Sequence, residues 1–329
     1  MRPSHCRFVL SALCLTAVPA VPAAAQTAPT ATGGAFLLLP VGARATALGQ
    51  AAAADGGTSE ALFWNPAGLA ALARSEIAIH HTNQFFGNTD ALVLALPSPS
   101  FGTVAVAAYI VDYGDVPVTL PGGGGEPVGR IGSRNIALMA SYATAVVGGL
   151  AAGITYKLVQ FRVDCTGDCT NVPTAAGTTH AVDVGIRYVF AGLPLVVGAA
   201  VRNVGFKLQV NNQAQADPLP ARLQAGLTYS VRRPPPGVDG LDVRILADLQ
   251  GAVGQGSLAP VTLIGIETGV RDVIRLRGGY AFLDSDAKGP SLGIGVSVGS
   301  VTFDLARVFF ANDDLGEKEP VHVSLRASF

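Results

Sequence analysis

The chain closes on Val321-His322-Val323-Ser324-Leu325-Arg326-Ala327-Ser328-Phe329, in which apolar and polar side chains alternate strictly. A period of two places successive side chains on opposite faces of a β-strand. The same alternation recurs in four earlier segments, at 182–188, 221–232, 241–249 and 274–280. Alternation repeated in this way is typical of membrane β-barrels, although any one segment also fits a strand of a soluble sandwich.

The composition indicates a large apolar surface. Of the 329 residues, 49% are hydrophobic and 14% are charged, and the formal net charge is -1. A near-neutral chain gives no electrostatic basis for binding nucleic acid. After the N-terminal segment, no window of about 18 apolar residues is free of charge and proline. Because only helices and closed barrels satisfy every backbone polar group in lipid, the pattern favours a barrel.

The N-terminus predicts export. Arg2 and Arg7 give a short positive region before the apolar stretch 8–18, and 23–25 supplies three alanines for cleavage. We therefore expect a signal peptide at 1–25 and a Thr/Ala/Pro-rich leader at 26–34. An uncleaved anchor or a buried first helix is the alternative.

Residues 35–74 differ from the rest of the chain and predict a compact helical hatch inside the barrel. Pro40 and Gly42 open an Ala-rich stretch that we interpret as a helix to about Ala54. Thr58 or Ser59 is expected to cap a second helix with Glu60 in its first turn. A third turn is expected at 67–73, after the interruption at Asn65-Pro66.

The remainder, 75–329, predicts a transmembrane barrel of about 14 antiparallel strands. The expected strands are 75–83, 89–97, 102–112, 131–145, 148–163, 178–190, 194–204, 220–232, 241–250, 260–270, 273–283, 288–299, 300–310 and 321–329. Short connections, such as 97–101, 146–147 and 299–300, alternate with long ones at 113–130, 164–177, 205–219, 251–259 and 311–320. Short periplasmic turns and longer outer loops produce this rhythm, and a sandwich gives no reason for it.

Two groups of residues carry a family resemblance. Residues 40–49, Asp55-Gly56 and 64–69 resemble the opening of PorV/PorQ-type proteins, which belong to the wider FadL-like outer-membrane group. Residues 303–306 and Leu315-Gly316 are similar to the family's C-terminal region, with Leu305 where a Tyr is usual. The resemblance implies a fourteen-stranded barrel with a hatch in its lumen. It also implies either transport of hydrophobic compounds or a role in type IX secretion.

The best candidate site lies in the hatch. We single out Arg44, Gly49, Asp55, Trp64, Asn65 and Pro66 as residues that fix the hatch or gate it. Arg44 and Asp55 are expected to pair with charges on the inward faces of the strands. A purely structural role, in which these residues only fill and stiffen the barrel, is the alternative.

Other candidates have narrower roles. Cys165 and Cys169 lie in a predicted outer loop, and an exported chain favours a disulfide there over a metal pair. Phe329 resembles the terminal aromatic residue that directs barrel insertion. Residues 293–299 only mimic a dinucleotide fingerprint, because no helix follows, and we interpret them as a small-residue strand against the hatch. We expect no metal, cofactor or catalytic residue.

Three functions fit these observations. The first is an outer-membrane transporter of hydrophobic small molecules, with an apolar pocket between hatch and wall and periplasmic termini. The second is a secretion component that docks protein partners on loops such as 113–129 and 211–219. The third is a structural barrel or an enzyme. The expected partners are outer-membrane lipid, the barrel-assembly machinery, and either a hydrophobic ligand or secretion proteins.

Overall fold

The computed structural model describes residues 32–84, 87–119, 126–168, 174–210, 216–231, 241–254, 260–270, 273–283, 288–309 and 319–329. Within these ranges the strands are β1 (Glu76–Gln84), β2 (Gly87–Ser98), β3 (Gly102–Thr119), β4 (Pro127–Val147), β5 (Leu150–Gly167), β6 (Ala175–Val189), β7 (Leu195–Gly205), β8 (Leu208–Gln209), β9 (Ala216–Asp217), β10 (Arg222–Val231), β11 (Leu241–Ala252), β12 (Val261–Val270), β13 (Ile274–Ala281), β14 (Gly289–Val298), β15 (Val301–Val308) and β16 (Val321–Ser328).

Fourteen of the described strands form one closed antiparallel barrel, and β8 and β9 form a separate two-stranded ribbon. The barrel closes where β1 pairs with β16, with Glu76 opposite Ser328. Every barrel strand lies beside its neighbour in sequence, except that β7 pairs with β10 because the ribbon is inserted between them. The predicted fold class is therefore confirmed.

The alternation in the sequence follows the two faces of the barrel, with the apolar face outward. In the closing strand Leu325 is 46% exposed, whereas its neighbour Arg326 is 8% exposed. The same inversion places Asp183, Asp248 and Asp304 in the interior. A soluble sandwich buries its apolar face, so this arrangement needs lipid around the barrel.

One end of the barrel, which we call the short-turn end, carries the tight connections and the closing residue Phe329. The predicted turn at 146–147 is wrong, because these residues belong to β4 and the turn that follows is Gly148-Gly149. These two glycines have φ angles of 54° and 88°. Two successive positive φ angles suit a tight hairpin turn, which other residues adopt only with strain.

At the opposite, long-loop end, β3 to β6 are longer than predicted. The expected loop 113–130 is wrong over its flanks, because β3 continues to Thr119 and β4 starts at Pro127. The expected loop 164–177 is also shorter, since β5 ends at Gly167 and β6 starts at Ala175. Backbone pairing continues through a register shift between Asp112 and Asp115. Because apolar and polar residues no longer alternate there, the sequence did not indicate that the strand continues.

The hatch is a chain of short turns rather than two long helices. It contains a 3-10 helix (Ala35–Leu38), α1 (Ala43–Ala47), α2 (Ala61–Trp64) and a second 3-10 helix (Pro66–Ala71). The predicted helix to Ala54 is wrong, because it stops at Ala47 and the following residues lie against the barrel wall. The predicted Thr58 or Ser59 cap is also wrong, because Glu60 precedes α2 and no side chain caps it.

Some predictions fall on residues outside the described ranges. They are the signal peptide at 1–25, the leader up to residue 31, Cys169 and the Leu315-Gly316 pair. None of the described helices is long and apolar enough to cross a membrane.

Candidate functional site: the contact between hatch and barrel wall

A buried ion network joins the hatch to the inner wall, and Glu267 of β12 is its centre. The Glu267 carboxylate accepts hydrogen bonds from Arg44 Nε of the hatch at 3.2 Å, from Arg244 Nη1 of β11 at 3.0 Å and from Arg277 Nε of β13 at 2.6 Å. Glu267 is 1% exposed. Three guanidinium groups from three segments therefore share one almost completely buried carboxylate.

Arg44 also pairs within the hatch, with Asp55. Asp55 in turn accepts a hydrogen bond of 2.6 Å from Arg244 Nη2, so the hatch contributes one charge of each sign to the network. Burial alone would raise the pKa of Asp55, but Arg44 and Arg244 hold it well below its usual range. Asp55 and Glu267 likewise raise the pKa of Arg44 against the effect of burial. Both groups stay charged at neutral pH.

A second carboxylate extends the network towards the closing strand. Asp304 of β15 accepts from Arg277 Nη1 at 2.6 Å and from Arg326 Nη2 of β16 at 2.8 Å. Arg326 also lies 3.8 Å from the carboxylate of Glu76 at the start of β1. The charges therefore run across the seam where β16 meets β1.

Glu60 is the hatch residue that the sequence analysis missed as part of the site. It is 2% exposed, and its carboxylate accepts a hydrogen bond of 3.2 Å from Ala45 N. The other oxygen, Oε1, has no hydrogen-bond partner and lies 3.9 Å from His80 Nδ1. Burial raises the pKa of Glu60 to about 7, although Arg326 and Arg44 act to lower it.

The other side of the hatch packs against β3 to β7 through aromatic rings and two cations. Trp64 Nε1 donates to Val41 O at 3.0 Å, and the guanidinium of Arg202 lies 5.0 Å from the Trp64 ring centre. Lys157 pairs with Asp183 at 2.7 Å. The cation–π contact thus joins the hatch to the wall in this half, and the Lys157–Asp183 ion pair lies within the wall beside an otherwise apolar core.

Asn65 and Pro66 fix the turn between α2 and the second 3-10 helix. Asn65 Nδ2 donates to Ala53 O at 2.5 Å and to Ile186 O of β6 at 3.0 Å, while its Oδ1 accepts from Ala67 N at 3.1 Å. One side chain therefore links two parts of the hatch to the wall. Pro66 follows at the first position of the 3-10 helix, where its missing N–H costs nothing.

Inward-facing glycines of the wall let the hatch backbone approach closely. At each of them a Cβ would overlap hatch atoms; they are Gly153, Gly185, Gly198, Gly265, Gly279 and Gly293. Gly49 of the hatch meets one of these positions, Gly279, and itself has a φ of 62°. A side chain at Gly49 would be strained and would also collide with the backbone of Tyr280.

The remaining predicted residues lie away from the hatch contact. Cys165 is disulfide-bonded. Its pairing with Cys169 stays a prediction, because Cys169 lies outside the described residues. Phe329 is 70% exposed at the short-turn end, and its backbone N–H donates to Ser75 O at 2.9 Å. Its proposed role in barrel insertion also stays a prediction.

One serine–histidine pair lies at the site, but its geometry does not suit a nucleophile. Ser324 Oγ is 2.7 Å from His80 Nδ1 and accepts from Ala43 N at 2.8 Å. The same His80 nitrogen faces Glu60, whereas a triad places acid and serine on opposite ring nitrogens. Ser324 is also completely buried. Among the described residues, no cluster of three or more His, Cys, Asp or Glu side chains is placed to hold a metal ion.

Two cavities border the two halves of the hatch. One, of about 20 Å³, lies among Leu37, Leu39, Val41, Phe63, Trp64, Tyr109, Met139, Lys157 and Arg202. The other, of about 330 Å³, lies between the hatch and β11 to β16 and is lined by charged groups. The first cavity has room for roughly one water molecule, whereas the ionic cavity is far larger.

Fold and site together define a fourteen-stranded membrane β-barrel with a hatch held in its lumen. The model of the Uncharacterised protein family UPF0164 matches residues 15–230, so the chain belongs to that family. No curated protein matches the chain significantly.

Several solved structures share the fold. The toluene transporter TbuX of Ralstonia pickettii is similar with a TM-score of 0.57 and 13% identity, over 88% of this chain and 98% of that chain. The toluene transporter TodX of Pseudomonas putida gives 0.56 and 12%, over 88% and 98%. A FadL homologue of Pseudomonas aeruginosa gives 0.52 and 12%, over 88% and 99%. Identities this low establish likeness of fold alone.

Replacing Arg44 tests the ion network. The change Arg44→Gln leaves Asp55 and Glu267 short of a buried partner, so the free energy of hatch opening should fall by about 3 kcal/mol or more. Hydrogen exchange of the amides in 43–64 measures this opening. The control is Arg134→Gln, which breaks an ion pair with Asp112 whose side chains are 60% and 38% exposed and should cost below about 1 kcal/mol. Equal effects of the two changes would contradict the network's role.

The pKa of Glu60 predicts that the docked hatch loosens as pH rises. A docked hatch holds the Glu60 proton up to about pH 7, whereas a released hatch loses it near the usual value of 4.5. The contribution of Glu60 to the stability of the docked hatch is therefore fully present below pH 4.5. About 3 kcal/mol of it is lost by about pH 7. The pKa of Asp55 is shifted downwards instead, so protonation of Asp55 weakens docking only at acid pH.

The measurement is hydrogen exchange of α1 and α2 between pH 5 and 8, corrected for the intrinsic exchange rate. Glu60→Gln keeps the shape of the side chain but removes the titration, so its slope should be flat. The charged and titratable groups that face Glu60 are Arg44, His80, Arg277, Asp304 and Arg326. A slope that persists in the glutamine variant would assign the pH dependence to one of them.

Proposed function

We propose that this chain is an outer-membrane channel for hydrophobic small molecules, and that its hatch must move for transport. The observation that carries the proposal is the cleft between the hatch and β3 to β5, which is lined by seven apolar or aromatic side chains beside Lys157 and Arg202. Phe63 and Tyr109 face each other across this cleft with ring centres 6.3 Å apart.

The cleft is too small for cargo when the hatch is docked. Its volume of about 20 Å³ has room for roughly one water molecule. An apolar cavity that takes up benzene has a volume of about 150 Å³. The docked hatch is therefore the closed state of the proposed channel, and transport requires the hatch to shift or the cover above it to open.

The cover at the long-loop end is the connection between β7 and β10. Leu208 and Leu219 of this connection are buried against the hatch side of the core, and Gly33 N donates to Pro218 O at 3.0 Å. On the edge that faces away from β6, β7 pairs with β10 only as far as Arg202, although β7 itself continues to Gly205. Beyond Arg202 only three residues of β7 lack a ladder partner in β10, and there Asn203 Nδ2 donates to Pro220 O at 3.3 Å, so a lateral path towards the lipid would have to break this contact.

The names of similar proteins agree with an apolar cargo. TbuX and TodX are described as toluene transporters, and a related structure, CymD, as a monoaromatic hydrocarbon channel. Toluene is therefore a suitable probe for this chain. The proposal assigns no catalytic step to any residue.

A disulfide between hatch and wall tests the proposal. Ala43 N lies 2.8 Å from Ser324 Oγ, so cysteines at these two positions are adjacent. In the double variant Ala43→Cys/Ser324→Cys, oxidation should abolish uptake of radiolabelled toluene by expressing cells, and reduction should restore it.

Both single variants and the unchanged chain, with and without reductant, are the controls, because the native disulfide at Cys165 is also reduced. The extent of cross-linking is read from gel mobility. Wild-type uptake by a fully cross-linked hatch would contradict a moving hatch. No uptake by the unchanged chain would contradict transport of toluene.

A second candidate is the PorV/PorQ-like role in type IX secretion. The observation that favours it is the raised wall at the long-loop end, where β4 has 21 residues and β16 only 8. Val116 on this wall is 60% exposed, as a docking surface for protein requires. The predicted docking loop 211–219 lies mostly outside the described residues.

The two candidates separate in a deletion strain. A secretion component predicts loss of secreted proteins and unchanged toluene uptake, and a photo-crosslinker at Val116 should capture cargo. The same crosslinker at the lipid-facing Leu292, which is 58% exposed, is the control. Normal secretion without the chain would exclude this role.

A further inference from the structure

The ionic cavity at the short-turn end is built differently from the rest of the lumen. Its volume is about 330 Å³, and its lining includes five guanidinium groups and two carboxylates. The arginines are Arg44, Arg244, Arg275, Arg277 and Arg326, and the carboxylates are Asp242 and Glu267. The side chains of Arg244 and Arg275 remain 23% and 25% exposed, so solvent enters the cavity.

The position of the cavity follows from the strands that line it. Asp242 and Arg275 stand next to the first residues of β11 and β13, and Ser297 next to the last residue of β14. These strand ends all belong to the short-turn end. A ligand therefore reaches the cavity from that side without passing the hatch.

The carboxylates of the network leave donors unused. Arg277 spends Nε on Glu267 and Nη1 on Asp304, each at 2.6 Å, but its Nη2 is buried without any hydrogen-bond partner. Asp55 and Asp304 add acceptors behind the lining, and Glu76 approaches only to 3.8 Å from Arg326. Five carboxylates thus match the five arginines in charge, namely Asp55, Glu76, Asp242, Glu267 and Asp304, but the guanidinium groups have more N–H donors than these carboxylates engage, and an unsatisfied buried donor is costly.

The wall beside Arg277 fits the Arg277–Asp304 ion pair closely. Gly295 lines the cavity, and a Cβ there would overlap Asp304 Oδ1 and lie 2.8 Å from Arg277 Nη1. Next to it, Ser297 Oγ and Thr302 Oγ1 are 3.0 Å apart. One hydroxyl of that pair donates to the other, so one hydroxyl hydrogen remains available to a ligand.

We propose that this cavity is a binding site for an oxyanion, such as sulfate, phosphate or the carboxylate or sulfate group of a larger molecule. Planar guanidinium forks are suited to such oxygens, and Arg275 and Arg244 reach the cavity from two different strands. Because Arg44 belongs to the hatch and lines the same cavity, bound anion stabilises the docked hatch. This site does not depend on what the barrel transports.

The test uses the full chain, purified in an uncharged detergent, and three probes: inorganic sulfate, hexyl sulfate and hexanol. Binding is measured by titration calorimetry, and the thermal midpoint of hatch unfolding is compared with chloride at equal ionic strength. Sulfate or hexyl sulfate should bind and raise the midpoint. Binding of inorganic sulfate identifies a free anion as sufficient, whereas binding of hexyl sulfate alone identifies the charged group of an amphipathic molecule.

Two variants locate the site. Arg275→Gln removes a partly exposed cavity arginine and should weaken binding about tenfold or more. Arg222→Gln is the matched control, because Arg222 is also partly buried but begins β10 near the long-loop end, outside the cavity lining. It should leave binding unchanged.

Three results would overturn the proposal. The first is no binding of either sulfate probe. The second is equal loss of binding in the Arg275 and Arg222 variants, which indicates general charge attraction. The third is equal binding of hexanol and hexyl sulfate, which indicates an apolar site.

Discussion

The carboxylate of Glu267 is the point at which hatch and barrel wall meet. It takes hydrogen bonds from Arg44 of the hatch and from Arg244 and Arg277 of the two neighbouring strands. Removing these charges from water is costly, and only their mutual pairing offsets the cost. Such a network adds less to stability than its separate contacts suggest, and we expect it to favour one position of the hatch. The small volume of the cleft and the shape of the ionic cavity follow from the position of the hatch seen here.

The hatch is held by different physical means on its two sides. Towards β11 to β16 the contacts are charged, and they enclose a cavity of about 330 Å³. Towards β3 to β5 they are aromatic and aliphatic, around Phe63, Trp64 and Tyr109, and they leave about 20 Å³. An apolar solute can replace only the aromatic and aliphatic contacts, because its dispersion contacts with the wall resemble those that the docked rings make. The ionic contacts therefore set much of the free energy that the hatch needs to leave its docked position, whereas the apolar contacts are the ones that a solute can replace.

Much of the fold could be predicted from the sequence, because a barrel strand carries its pattern locally. The alternation at 321–329 and the loop rhythm gave strand positions close to those observed. The long-loop ends of β3 to β6 escaped prediction because Gly, Pro and charged residues there break the alternation while pairing continues. The hatch was harder. Its helix after Pro40 ends at Ala47 because the next residues lie on the wall at Gly265 and Gly279, a constraint that helix propensity does not contain.

The site could be predicted only in part. Arg44 and Asp55 were recognisable as charges in an apolar segment, and their partners were expected on inward faces. The identity of those partners was not predictable, since Arg44 and Glu267 are 223 positions apart. Glu60 was interpreted as a helix-terminus residue, and its burial beside His80 became visible only in three dimensions. The glycines of the wall carried a signal, because many inward positions are Gly, but nothing in the sequence indicated which hatch residue each would meet.

The most direct test of the central claim is a double-mutant cycle between Arg44 and Glu267, measured on the free energy of hatch opening by hydrogen exchange. The four proteins are the unchanged chain, Arg44→Gln, Glu267→Gln and the double variant. If the pair holds the hatch, the double variant should be less destabilised than the sum of the single changes, with a coupling energy of at least about 1 kcal/mol. Additive effects would contradict the account, because they would mean that the hatch is held by packing and not by this buried pair.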